Sequence, residues 1–251
     1  MADNNYFPVF VFFLLATISE ILGTLSGFGS SIFTVSILQF LFTFQTVLMV
    51  TSILHVFSNA FKVFLFRKTI DWKIVLWLGV SSIIFSVVGA RVIAFINFEY
   101  VKMFLGAFLI LLSSFFYFDQ FFKLSASLKN SVTAGGIAGF MAGFIGTGGA
   151  IRGLALTAFN LEKNFYVGTS ATIDFGVDAG RAFVYWTNNY FSLELVPYLP
   201  ATAGAALLGT YLGKKILGKI SQETFRKIVL VLIFSTGVAL VIQNLIKGLS
   251  Q

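Results

Sequence analysis

Ten apolar runs, at roughly 7–25, 30–44, 47–66, 74–96, 101–118, 132–145, 150–160, 167–186, 196–217 and 225–246, fill most of this 251-residue chain. About 20 apolar residues in a helix cross the hydrocarbon core of a bilayer, and most of the runs come close to that length. Only 11% of the residues are charged against 57% hydrophobic, where a soluble domain carries roughly 25% charge to face water. The expected fold is therefore an all-α polytopic membrane protein. Its formal charge of +7 then reads as the loop asymmetry of a membrane protein rather than a nucleic-acid footprint, and no nucleic-acid partner is expected. Met1–Tyr6 offers no basic region and no small-residue cleavage site, so the first run is expected to belong to the mature protein. With no cysteine, disulfides, thiolate metal sites and a cysteine nucleophile are excluded, and His55 stands alone, so no metal site and no cofactor are expected.

The runs at 30–44, 132–145 and 150–160 are short for a full span, and each lies beside a glycine break. One break reads Gly27-Phe28-Gly29-Ser30-Ser31, the other Gly146-Thr147-Gly148-Gly149-Ala150. Broken or re-entrant helices are expected there, which leaves eight to ten transmembrane segments. Sliding the chain by 119 residues places Gly27 on Gly146, Gly29 on Gly148, Thr51 on Ser170 and Lys62 on Arg181 without a gap. Beyond about residue 187 the shift becomes 124, and Gly89 falls on Gly213 and Arg91 on Lys215. Residues 1–125 and 126–251 thus read as two copies of one unit within a single membrane domain.

Lys and Arg concentrate in cytoplasmic loops. Here they cluster at 66–73, 119–131, 160–165 and 214–227, which puts both termini outside and gives the two copies opposite orientation. An inverted-topology repeat of this kind is the architecture of many secondary transporters.

Backbone freed from a helix inside lipid must line a cavity or be buried in protein, and half-helix N-termini point N–H groups toward an anion. Gly27, Gly29, Ser30, Ser31, Gly146, Gly148 and Gly149 are accordingly candidates to bind a substrate, the alternative being that the glycines serve helix packing. Arg152 follows the second break at bilayer depth, where an arginine is expensive and marks a functional site by default. Its planar fork suits a sulfonate, carboxylate or phosphate; the competing reading is an arginine neutralised by Glu20 or an aspartate. A further stripe, Ser170, Asp174, Asp178 and Arg181, occupies one helix face, and its counterparts are Thr51, His55, Asn59 and Lys62. Lys62, Ser170 and Arg181 are candidate ligands, although the two cations lie near enough to helix ends to snorkel. Glu20, His55, Asp174 and Asp178 are candidates for proton or ion coupling. Small residues at Gly135, Gly139 and Gly143 and at Ala201, Ala205, Gly209 and Gly213 form packing stripes, serving either the contact between the copies or a homodimer. No Gly-x-Ser-x-Gly, Walker or His-Glu-x-x-His motif is present. An enzyme is not expected, and transport would be passive or ion-coupled.

The two glycine breaks, Gly168-Thr169-Ser170 at the start of a helix in the second half, and the duplicated chain of about 250 residues together resemble the TauE/SafE family of bacterial anion exporters. The family's glycine run usually has a third glycine, where Ser31 and Ala150 stand here, and a nearby proline that both halves lack. The resemblance implies export of sulfite or an organosulfonate such as sulfoacetate through an inner membrane, without an organic cofactor. The rival expectations are an ion-coupled carrier of another solute and a membrane scaffold that transports nothing.

Overall fold

The computed structural model describes residues 7–26, 29–96, 98–118, 127–159, 161, 163–217, 219 and 221, and, in the last run, 231, 234, 235, 237–239, 241 and 242. Nine helices are complete enough to name: α1 (Phe7–Ser26), α2 (Ser31–Leu38), α3 (Phe44–Phe66), α4 (Trp72–Phe95), α5 (Phe98–Phe118), α6 (Leu128–Ile145), α7 (Gly149–Ala158), α8 (Lys163–Thr187) and α9 (Tyr198–Leu217). No strand occurs among the described residues. In hydrocarbon the backbone must satisfy its own hydrogen bonds, and helices do so within one segment. Of the described helices, α1, α3 and α4 combine the length and apolarity of a membrane span.

Side chains set several boundaries. Thr43 accepts from Thr46 N–H at the start of α3, Asp71 accepts from Lys73 and Ile74 N–H at the start of α4, and Ser127 accepts from Asn130 N–H at the start of α6. The Ser127 cap carries α6 back to Leu128, four residues ahead of the apolar run expected at 132–145. The run at 30–44 is likewise reshaped, because α2 stops at Leu38 and the chain turns through 39–42 to the Thr43 cap. α4 contains a π-helical turn, Val75–Gly79, before resuming α geometry. Most of the run at 225–246 lies outside the described residues.

Both small-residue stripes are used within the chain. Gly135, Gly139 and Gly143 bring α6 against the backbone of α4: a Cβ on Gly139 would lie 2.1 Å from the Ser82 carbonyl oxygen, and one on Gly143 1.9 Å from that of Ser86. Gly209 and Gly213 bring α9 against Thr17, Glu20, Ile21 and Thr24 of α1. Such close backbone approach is what small residues permit between membrane helices.

The 119/124 correspondence maps α1 onto α6, α2 onto α7, α3 onto α8 and α4 onto α9. Packing follows the same map, since α1 packs on α9 as α6 packs on α4, α3 on α9 as α8 on α4, and α2 on α3 as α7 on α8. Gly213 approaches the carbonyl of Ile21, and its counterpart Gly89 approaches that of Phe140, the residue 119 positions after Ile21. In the middle, α3 crosses α8 antiparallel: Asn59 donates to Asp178, its own counterpart, at 2.8 Å, while His55 lies toward Arg181.

Candidate functional site

Two short helices begin inside the protein. Gly29, at φ +82°, and Ser30 precede α2, and Gly146, at φ +79°, ends α6 before Thr147 and Gly148 lead into α7. Both glycines occupy the left-handed region that side chains with a Cβ rarely adopt. The turn out of α1 is so tight that a Cβ on Gly23 would lie 2.3 Å from Ser30 Cα. Gly29, Ser30 and Ser31 from one start, and Gly146, Gly148 and Gly149 from the other, line one central cavity. α3 adds His55 and Asn59, α6 adds Ala142, α7 adds Arg152, and α8 adds Asp174, Asp178 and Arg181. The void is about 10 Å³, room for about one water molecule. A second cavity of about 30 Å³ adjoins it, bounded by Lys62, Tyr166 and Ser170 and sharing Gly29, Asn59 and Asp174.

Every cation here has a carboxylate. Arg152 Nη2 pairs with Asp174 Oδ1, and Ser170 Oγ donates to Asp174 Oδ2 at 3.3 Å. Arg181 Nε donates to Asp178 Oδ1 at 2.8 Å, and its Nη1 donates to the Gly146 and Ala142 carbonyls at 3.2 and 3.3 Å. Arg181 therefore ties the end of α6 to α8. Lys62 Nζ lies 3.4 Å from Glu20 Oε2. Glu20 also accepts from Ser30 Oγ and Ser58 Oγ, and so joins the start of α2 to α1 and α3. Arg152 keeps two donors unused: Nε and Nη1 are buried without a partner among the described residues.

The placements differ in kind. Gly29, Ser30, Ser31, Gly146, Gly148, Gly149, Arg152, Arg181, His55, Asp174 and Asp178 line the central cavity. Lys62 and Ser170 line the adjoining one. Glu20 lines neither and sits behind α2 as a bridging carboxylate. Gly27 lies outside the described residues. The snorkelling alternative is corrected, because Lys62 is 6% and Arg181 1% exposed and both turn inward to carboxylates. Arg152 takes its counter-charge from Asp174 and not from Glu20. Asn59 lines both cavities, and its place in the polar stripe beside His55 is the sequence signal for it. Neither Ser58 nor Tyr185 stands out in the sequence; Ser58 ties Glu20 to Thr210 of α9, and Tyr185 donates to the Gly143 carbonyl. Among the described residues no three of His, Cys, Asp and Glu converge as metal ligands.

The family model described as sulfite exporter TauE/SafE matches residues 12–240. The chain belongs to the TauE/SafE family. Both glycine breaks and all the buried charges above fall inside the matched stretch. A relative from Methanocaldococcus jannaschii, named a probable membrane transporter protein, is 27% identical over 238 residues, covering 85% of this chain and 88% of the relative. No solved structure matches. The protein is a member of a membrane transporter family, in keeping with its apolar helices.

Proposed function

We propose that this TauE/SafE protein is a secondary transporter that exports a small sulfur-containing anion, sulfite or an organosulfonate such as sulfoacetate, across an inner membrane by alternating access. The observation that carries the reading is Arg152, an arginine 2% exposed, lining a small cavity with two unpartnered N–H donors between two half-helix N-termini. Those termini contribute N–H groups and positive dipole ends, and the guanidinium adds a planar fork suited to a sulfur oxyanion. Residues 1–125 and 126–251 act as two inverted repeats with both termini outside. The antiparallel crossing of α3 and α8 at equivalent residues supports that arrangement, since a two-fold axis through the Asn59–Asp178 contact runs across the helices and reverses their direction. A void of about one water is too small for the anion, so the helix starts must part to admit it.

The test is efflux from proteoliposomes loaded in turn with sulfite, sulfoacetate, taurine, sulfate and acetate and diluted into anion-free buffer. Rapid release of one sulfur oxyanion, lost in Arg152→Gln while the variant keeps a monodisperse profile, is the expected result. Wild-type efflux in Arg152→Gln would remove Arg152 from the site, and silence across the panel would remove the transport reading.

A further inference from the structure

We propose that the anion crosses this protein together with a proton, and that Asp174 is the group that takes the proton up. The inference rests on the transport reading above and adds its coupling ion. Charge counting creates the need: Arg152, Arg181 and Lys62 face Asp174, Asp178 and Glu20, and all six are buried. His55 contributes no charge. A guanidinium can only donate, so Arg181 Nη2 at 3.1 Å from His55 Nδ1 makes that nitrogen an acceptor, and an imidazole with an acceptor nitrogen is neutral. The set is balanced. A monovalent anion arriving alone would leave one uncompensated negative charge in a medium of low dielectric, and would also have to displace a carboxylate from Arg152. A proton on that carboxylate removes both obstacles.

Geometry selects among the three carboxylates. Glu20 is fully buried, is held by Ser30, Ser58 and Lys62, and lines neither cavity. Asp178 lines the central cavity but not the adjoining one, and pairs with Arg181 and Asn59, each at 2.8 Å, instead of Arg152. Asp174 is the carboxylate on Arg152, and it lines both the central and the adjoining cavity. Its neighbour Ser170 can donate to a carboxylate or accept from a carboxylic acid, so Asp174 keeps a partner in either form. The groups facing this region are Arg152 from α7, Asp178, Arg181 and Tyr166 from α8, His55 and Lys62 from α3, and Glu20 from α1. α4 and α6 pack on α8 through Gly79, Ile83, Val87 and Ala142, while their Lys73, Arg91 and Lys129 are exposed near the helix ends.

In each cycle a proton from water of the adjoining cavity binds a carboxylate oxygen of Asp174. Arg152 turns the released N–H groups to an oxygen of the anion. On the other side the anion leaves, the proton returns to water, and the Arg152–Asp174 pair re-forms. For a monovalent anion the loaded step carries no net charge.

Proteoliposomes with bisulfite at mildly acidic pH, corrected for passive permeation through protein-free vesicles, are given a pH gradient without potential and then a potential without pH gradient. The expected accumulation ratio changes about tenfold per pH unit, the equivalent of one proton per anion, and ignores the potential. A wild-type ratio that follows the potential and ignores the pH gradient overturns the coupling, with no variant required. Asp174→Asn, fixed in the neutral form, is expected to reverse the pattern and follow the potential, about fiftyfold per 100 mV, while Asp174→Glu keeps the pH response. A folded Asp174→Asn that still follows the pH gradient, or moves nothing, overturns Asp174 as the acceptor. Absence of wild-type flux of every panel anion is a different failure, that of the transport reading.

Discussion

At the same point of each half, 119 residues apart, α3 carries Lys62 and α8 carries Arg181, yet the two cations are neutralised by different routes. Lys62 reaches across to Glu20 on α1, whereas Arg181 takes Asp178 from its own helix. The position on α6 that corresponds to Glu20 is Gly139, and the backbone of α4 comes so close there that no side chain fits. On the other side, Gly209 of α9 supplies the small residue, with the place of its missing Cβ 2.5 Å from Glu20 Cβ. At this level of each joint one glycine makes the room. Which helix provides it decides which half holds a carboxylate between helices and which must find one within a helix. The half-helices differ in the same way, because Arg152 on α7 corresponds to the buried Phe33 on α2. At the positions 119 residues apart the helices and their packing agree, while the charges on them differ.

The largest effect expected from this contrast comes from Glu20→Gln, which strips Lys62 of its only carboxylate in the described structure. Breaking one side of a buried pair costs ~3–5 kcal/mol, visible as a lowered melting temperature in detergent. The double variant Glu20→Gln with Lys62→Met should recover most of that loss, and a double variant no better than the single one would show that Glu20 acts through Ser30 and Ser58 instead. Next come the equivalent glycines. Gly89→Ala drives a Cβ to 2.3 Å from the Phe140 carbonyl oxygen, while at Gly213 the fit is looser, with Thr24 Cβ at 2.7 Å and the Ile21 carbonyl oxygen at 3.1 Å. We expect a loss of ~3 kcal/mol at Gly89 and ~1 kcal/mol at Gly213, and equal losses would break the distinction between the two joints. The smallest effect is Tyr185→Phe, which makes α8 read like α3, where Phe66 holds the corresponding position. Losing the hydroxyl bond to Gly143 should cost ~1 kcal/mol by thermal melting.

The order of the helices and the place of both breaks are legible because hydropathy, glycine and the 119-residue correspondence are local or repeated signals. The pairing of charges is not. Glu20 meets Lys62 from 42 residues away and Ser30 from 10, and the start of α2 reaches Glu20 only because Ser30 packs directly on Gly23 of α1. Distance from a helix end misleads for Lys62 and Arg181, because the carboxylates lie inward and a buried partner competes with the interface. Asn59 shows the remaining gap. A single amide on a polar stripe carries little signal, and its role appears only once α3 crosses α8 antiparallel and sets it against Asp178.

A chain of waters does not fit through a central void of about 10 Å³. For the transporter proposed above, a void this small among the described residues would also act as an electrical insulator, leaving ions little room to cross with their water. In that proposal a small aperture at rest would protect the cell's energy store, every opening would expose it for a moment, and turnover and leak would depend on one closure, the fit of α2 and α7 around Gly29 and Gly146.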